Sequence, residues 1–169
     1  MNNIRSHIAL ILAMALMLPA LRVVAAGEPR ITELSYLDKQ YMTQQRELIA
    51  DLASLELGRR FNGNQENDLE ILQLLLDRRL VRSDQTAELQ AMGIIMGDLL
   101  AADLGMNWVV YEDQQGRSRA LRYQQSDEYL FPVTMISRRR EVGNQTPVAV
   151  IYQKARDIIA PMLPQQPFQ

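Results

Sequence analysis

The sequence predicts an α+β fold in which a small antiparallel sheet of about three strands packs against N-terminal helices and one C-terminal helix. Apolar residues recur at helical spacing up to about residue 104, and the pattern then changes to short β-rich runs separated by turn residues. Helical spacing returns near the C-terminus. Because helices and strands are grouped along the chain instead of alternating, we expect the helices to cover one face of the sheet.

The first 26 residues have the pattern of a signal peptide. Arg5 precedes an unbroken apolar run over residues 8–18, which is too short to cross a bilayer, and small residues end at Ala26. We expect cleavage after Ala26, with cleavage after Ala25 or Ala20, or an uncleaved anchor, as the less favoured alternatives. The predicted organisation is therefore a cleaved signal peptide (1–26), a single α+β domain (27–160) and a mobile tail (161–169), with the protein in the periplasm or secreted and without a stable membrane span after cleavage.

Composition excludes several classes of function. The 143 residues after the signal carry 16 basic and 20 acidic side chains, which argues against binding to nucleic acid. The chain has no cysteine, and its one histidine, His7, lies in the signal. A mature chain without either residue cannot form a Ser-His-Asp triad, a Cys-His pair or an ordinary zinc site. We therefore predict no cofactor and no metal, and the sequence favours a non-enzymatic function.

Three helices are predicted in the first part of the domain. Ser35 and Asp38 form a potential capping box at the start of the first helix, and Gly58 is placed to end it. A second helix covers the leucines between residues 69 and 80, and a third runs from Ser83 or Asp84 to about Asp103. The residues expected on the buried face of the first helix are Leu37, Tyr41, Leu48, Leu52 and Leu55.

The sheet is predicted from three runs. Residues 108–111 and 118–123 form a hairpin around a turn at 112–116, and a third strand extends from Tyr129 to Ile136. Pro132 lacks an amide donor, which places that strand at a sheet edge or marks a bulge. Thr146 and Pro147 then begin the last helix.

Two further patterns are interpreted as structural. Gly93 and Gly97 stand one helical turn apart, which allows another segment to approach the third helix closely. Oxygen-bearing side chains alternate before the second helix as in a calcium loop, but the glycine and closing glutamate of an EF-hand are missing. We therefore interpret them as a solvated loop that caps the helix. These side chains are Asn62, Asn64, Glu66 and Asp68.

The candidate binding residues are Arg138, Arg139, Arg140 and Trp108. The three arginines follow the third predicted strand, and in an extended run Arg138 and Arg140 would share one side. Guanidinium groups suit carboxylates and phosphates, so the cluster could bind an anionic ligand or an acidic partner surface, but surface pairing with Glu141, Asp127 or Glu128 is the favoured interpretation. Trp108 opens a strand and is interpreted mainly as a core residue, with ligand stacking as the alternative.

Adjacent carboxylates are the candidates for enzymatic acid and base chemistry. Glu112 with Asp113, and Asp127 with Glu128, could serve sugar cleavage in principle. Both pairs lie in polar turns, where carboxylates are usually solvated, whereas an active-site carboxylate normally needs burial. We assign no catalytic residue.

Four motifs in the middle of the chain occur in a characteristic order and spacing. They are Leu89-Gln90-Ala91-Met92-Gly93 with Gly97, Leu104-Gly105-Met106-Asn107-Trp108, Asp113 with Gly116, and the segment from Phe131 to Arg139. Together they resemble a bacterial family known as domain of unknown function 3806. It covers roughly residues 66 to 142. It implies a small α+β domain of unassigned activity and brings no catalytic residues to carry over.

Three functions remain open at this point. The leading hypothesis is an exported, non-enzymatic binding or accessory domain whose partner is an envelope protein or an anionic ligand. The second is a carboxylate-dependent periplasmic enzyme or small-ligand binder, which requires a pocket with a buried acid. The third is an exported inhibitor or immunity-type protein, which requires a rigid acidic surface.

Overall fold

A computed structural model describes residues 28–163 of the chain. It has an α+β fold with a four-stranded antiparallel sheet in the order β1-β2-β3-β4. The elements in chain order are β1 (Arg30–Glu33), α1 (Tyr36–Leu57), α2 (Gln65–Asp77), α3 (Thr86–Leu104), β2 (Met106–Asp113), β3 (Gly116–Tyr123), β4 (Tyr129–Leu130), α4 (Pro132–Met135), α5 (Ser137–Glu141), α6 (Val148–Ile159) and a 3₁₀-helix (Ala160–Met162).

The centre of the fold is α3. Its buried residues occupy every side of the helix and run almost without interruption from Leu89 to Leu100, because α1, α2, α6, α4 and the sheet all pack against it. Gly93 and Gly97 lie where two of these neighbours come closest. A methyl group at Gly93 would stand 2.5 Å from the carbonyl oxygen of Pro132, and one at Gly97 would clash with the Trp108 ring. The prediction of close packing at both glycines is confirmed.

The described sheet has one strand more than predicted. β1 pairs antiparallel with β2, with Arg30 opposite Glu112 and Glu33 opposite Val109. Its four residues, Arg-Ile-Thr-Glu, are mostly exposed and carry one aliphatic side chain, so the run has no apolar alternation to reveal a strand. The predicted β2–β3 hairpin is confirmed, but both strands run further into the predicted turn at 112–116, which leaves a two-residue turn between Asp113 and Gly116.

The prediction of a third strand from Tyr129 to Ile136 is wrong beyond Leu130. Only Tyr129 and Leu130 pair with β3, and Pro132 begins the short helix α4. Proline fits the first turn of a helix because its fixed φ is already helical and the amide it lacks would have no partner there. The close approach allowed by Gly93 gives this turn its place against α3.

The predicted inner face of α1 is also wrong in part. Leu37, Leu48 and Leu55 are exposed, whereas Met42, Ile49 and Ala53 are buried. The helix is rotated so that its buried side faces α3. A bidentate ion pair joins α1 to α3 in this orientation. Arg46 Nε and Nη2 donate to the two carboxylate oxygens of Asp98 at 2.6 and 2.9 Å.

Helix ends follow the sequence closely. Ser35 and Asp38 form the predicted capping box, and Gly58 and Gly105 end α1 and α3 with φ of 64°. Asn64 caps α2 by accepting from the Asn67 amide, and buried Asp68 accepts from the backbone amides of Asn62 and Gly63.

The chain ends differ in how far they are described. The predicted signal peptide (1–26) lies outside the described residues, as does most of the predicted tail. At the start of that tail, Tyr123 Oη donates to the carbonyl oxygen of Met162 at 3.1 Å. Among residues 28–163, the helices are all too short or too polar to cross a membrane.

Candidate functional site

The three candidate arginines lie on α5, and they face three different environments. The expectation that Arg138 and Arg140 share one side of an extended run is wrong, because successive residues of a helix are turned by about 100°. Arg138 is exposed, Arg139 donates to the carbonyl oxygen of Met135 at 2.6 Å, and Arg140 is buried. The cluster therefore does not act as a single patch.

Trp108 packs against the core, as its main interpretation predicted. It is partly buried against the central cluster of apolar residues, with its ring on Gly97. Its indole Nε1 donates to Asp98 Oδ1 at 3.0 Å, and Asp98 also holds Arg46. The tryptophan thus joins the sheet, α3 and α1.

Arg138 lines a surface cleft of about 510 Å³ beside the turn end of the β2–β3 hairpin. One wall is β3, the other is formed by Phe131 and α4, and Tyr111 lies between them. The Tyr111 ring meets those of Tyr129 and Phe131 edge to face, with ring centres 5.0 and 5.3 Å apart. The cleft therefore combines a strand, an aromatic floor and arginine side chains.

The strand wall of the cleft is an edge of β3 that β4 leaves largely unpaired. Among the described residues, β4 reaches only Leu121 and Arg122 of β3, which leaves Gly116–Ala120 beyond its end. The Tyr123 amide donates to Glu128 on the β4 side. Because backbone groups of alternate residues in a strand point to the same edge, the amides and carbonyls of Arg117 and Arg119 point to that side as well.

Two arginines of this strand share one buried carboxylate. Arg117 Nη2 lies 2.6 Å from Asp38 Oδ2, and Arg119 Nη2 lies 3.0 Å from Asp38 Oδ1. The Arg119 guanidinium also stacks 4.2 Å above the Tyr41 ring. Two cations thus share one anion in direct contact, and Glu112, opposite Arg117 on β2, adds a more distant negative charge.

Asp38 is held in its ionised form. The hydrogen bond from Arg117 lowers the pKa of this carboxyl well below its usual value, against the opposing effect of burial, and the bonds from Ser35 lower it further. The same contact raises the pKa of Arg117. Because Asp38 stays ionised, it links α1 to the β2–β3 hairpin through its ion pairs with the two arginines. The same carboxylate is unsuited to proton transfer near neutral pH.

Arg138 and Arg119 keep binding capacity that the described residues do not use. Within residues 28–163, Arg138 forms no salt bridge and no side-chain hydrogen bond. Arg119 Nε is buried and has no hydrogen-bond partner in the same part of the chain. The carboxylate that lines the cleft is Asp113, and it accepts from the Gln115 amide at 2.8 Å. Positive charge therefore predominates in the cleft.

The paired carboxylates proposed for enzymatic chemistry are dispersed. Glu112 is exposed opposite Arg117, Asp113 is the last residue of β2, and the Asp127 side chain is fully exposed, 3.9 Å from Arg122. Groups of three or more potential metal ligands of the His, Cys, Asp and Glu types do not occur within residues 28–163. The buried acids are Asp38 and Asp68, and their hydrogen bonds give both a structural role.

Sequence reasoning did not select Arg117, Arg119 or Tyr111 as site residues, and Phe131 entered it only as the start of the segment that carries the family resemblance. A signal for the first two was present, because arginines two residues apart on a predicted strand lie on one face. The aromatic floor depends on the turn at Pro132, which the predicted third strand concealed. Phe131 is at the corner where β4 ends and α4 begins.

Fold and cleft together define an α+β domain with an arginine-lined groove beside an open strand edge. The chain belongs to the family described as "Domain of unknown function (DUF3806)", whose model matches residues 68–152. The match includes β3, Phe131 and Arg138, and it leaves α1 with Asp38 outside. The resemblance inferred from the sequence is confirmed.

A solved structure from Bacteroides thetaiotaomicron shares the fold. Its TM-score is 0.70 at 22% sequence identity, and the match covers 78% of this chain and 48% of that one. The chain thus spans about half the length of that neighbour. No curated protein matches the sequence.

Proposed function

We propose that this protein is an exported, non-enzymatic binding domain that holds an extended acidic segment of an envelope partner in the cleft between β3 and α4. The observation that carries the proposal is that Arg138, without a partner among the described residues, lines the same cleft as the part of β3 that β4 leaves unpaired. A strand edge can bind the backbone of an extended segment, and a neighbouring guanidinium can bind the carboxylates of the same segment.

The strand edge supports an extended occupant. The stretch of β3 that β4 leaves unpaired and that is not buried, Gly116–Arg119, spans about 14 Å at the usual rise of an antiparallel strand. Outward-pointing amides and carbonyls on such an edge pair readily with an added strand, which supplies main-chain hydrogen bonds. The aromatic floor at Tyr111 and Phe131 offers apolar contact to alternate side chains of that segment.

The charges support an acidic occupant. Arg117 and Arg138 both line the cleft and are exposed, and Arg138 has no ionic or hydrogen-bond partner among the described residues. Arginine forks form two parallel hydrogen bonds to a carboxylate, so glutamate or aspartate in the bound segment would gain charge-assisted bonds on both walls. A basic segment would meet repulsion from the same groups.

The N-terminal pattern supports export. A short apolar run followed by small residues up to Ala26 directs a protein to secretion and is then removed. We expect the exported protein to begin at Gly27, and N-terminal sequencing of protein purified from cells that express the full chain measures this. Recovery of residues 1–26 in the purified protein would contradict it.

Site-specific cross-linking in cells tests the binding proposal. A photo-reactive amino acid replaces Ser118, which is exposed on the strand wall of the cleft, and a control replaces Glu56, which is exposed on α1. We expect one partner to be captured from position 118 and not from position 56. Mass spectrometry of the adduct should place the cross-link in an acidic segment.

A second variant separates specific capture from simple proximity. Arg138→Gln removes the unpaired charge, and Arg60→Gln removes an exposed charge that lines no part of the cleft. The adduct should fall several-fold in Arg138→Gln and stay unchanged in Arg60→Gln. Absence of an adduct from position 118, or equal yields in both variants, would overturn the proposal.

A further inference from the structure

A second arginine-lined cleft lies on the other side of α5. Arg140 is 6% exposed, and its guanidinium has incomplete partners. One terminal nitrogen donates to Gln145 Oε1, and the other reaches the carbonyl oxygen of Thr146 at 3.4 Å. Nε is buried without a hydrogen-bond partner among the described residues.

The charge of Arg140 is not neutralised by contact with an acid. Among residues 28–163 it forms no salt bridge, although a buried charge is costly unless it is paired. Burial lowers the pKa of Arg140, and the nearby charge of Asp77 offsets part of that effect. An anion bound in the adjoining space would stabilise this buried guanidinium, which has no salt-bridge partner among the described residues.

The adjoining space is an open cleft of about 460 Å³ between the end of α2, the turn before α3, and α5. Arg79 and Arg82 line it together with Arg140, and Ser83 adds a hydroxyl. Asp77 is the one lining carboxylate, and it accepts from Gln73 at 2.7 Å. Arg82 Nε lies 3.2 Å from the exposed Asp84, which leaves its other nitrogens available.

The backbone of Arg79, at the rim of this cleft, has an unusual conformation. It adopts φ of 57°, a left-handed conformation that residues other than glycine rarely take. Its amide donates to Leu76 and its position closes the end of α2. The conformation directs the chain around the cleft, so that Arg79 lines the same space as Arg82, three residues later.

We propose that this second cleft binds a tetrahedral oxyanion, either free phosphate or the phosphate monoester group of a larger ligand, through Arg140, Arg79 and Arg82. Three guanidinium groups and a serine hydroxyl around one space provide the donors that phosphate oxygens accept. Arg140 supplies the buried end of the site and the other two arginines its rim. This site is separate from the cleft that Arg138 lines.

Binding of inorganic phosphate to protein purified from cells expressing the full chain tests the proposal. Isothermal titration calorimetry at constant ionic strength measures the dissociation constant for phosphate, with chloride as the reference anion. Glycerol 3-phosphate is titrated in parallel. Equal affinity assigns the site to the free anion, and tighter binding of the ester assigns it to a phosphoryl group on a larger ligand.

Exposed rim variants keep the test independent of folding. We expect the double variant Arg79→Gln with Arg82→Gln to weaken phosphate binding at least about tenfold, and Arg60→Gln to leave it unchanged. Arg140→Lys keeps the charge but loses the planar fork, so it should weaken binding as well. Absence of saturable binding by the wild type in the millimolar range, or equal affinity in the double variant and the control, would overturn the proposal.

Discussion

Replacing Asp38 by asparagine should remove the charge that fastens α1 to the β2–β3 hairpin. The asparagine has nearly the same volume, so the change leaves Arg117 and Arg119 facing a neutral group without opening a cavity. The carboxylate is 2% exposed, whereas the side chains of Arg117 and Arg119 are 45% and 23% exposed. Water can therefore solvate the arginines after the substitution, in part.

The exposed fractions of these three side chains determine how far the substitution should lower the free energy of unfolding. Breaking a fully buried ion pair costs about 3–5 kcal/mol, and a fully exposed one about 0–1 kcal/mol. With one buried and two partly exposed partners, we expect Asp38→Asn to lower the free energy of unfolding by about 2 kcal/mol. Asp51→Asn, on an exposed position of the same helix, should change it by less than about 0.5 kcal/mol.

Urea unfolding monitored by tryptophan fluorescence provides the assay, because Trp108 is the only tryptophan. Asp38 has a lower pKa in the folded state than in the unfolded state. Its stabilisation is therefore fully present above the unfolded pKa of about 3.9 and is lost as the pH falls below that value. The gap between wild type and Asp38→Asn should shrink in acid. A gap that is absent at neutral pH, or constant with pH, would refute the reasoning.

Two further substitutions test the packing around α3. Gly93→Ala places a methyl group against the backbone of Pro132 and Val133, which cannot yield as a flexible side chain would, so it should destabilise the fold by about 1–3 kcal/mol in the same urea assay; wild-type stability would contradict the close approach. Trp108→Phe removes the hydrogen bond to Asp98 and part of the ring, and should cost about 1–3 kcal/mol, measured by circular dichroism because the fluorescent reporter is lost; a loss below about 0.5 kcal/mol would show that the bond contributes nothing.

Features controlled by neighbouring residues could be predicted from the sequence. The capping box at Ser35, the helix ends at Gly58 and Gly105, and the β2–β3 hairpin depend on residues a few positions apart. The close packing at Gly93 was also predictable, because a glycine inside an apolar helix indicates close contact. These parts of the fold follow from local chemistry.

Features that depend on distant partners could not be predicted. Asp38 was recognised as a helix cap, but its pairing with Arg117 joins residues 79 positions apart. β1 is held by pairing with β2 and carries no apolar alternation of its own. The run after Leu130 is rich in strand-forming residues, yet packing against α3 turns it into a helix.

The candidate site was predicted in part for the same reason. Arg138 was selected for its charge, and the structure places it in a cleft. The partners that complete that cleft come from β3 and from the corner at Phe131, which only the three-dimensional arrangement brings together. Arg140, selected with it, belongs to a different surface.

The most direct test of the central claim is a titration followed by two-dimensional amide NMR, with a short peptide of alternating glutamate and valine as the probe. We expect saturable shifts confined to Gly116–Ala120 and the cleft wall at Val133 and Thr134, weakened several-fold in Arg138→Gln and absent with a peptide carrying lysine in place of glutamate. Shifts spread over the surface, or equal shifts with both peptides, would contradict the claim that this cleft binds an extended acidic segment.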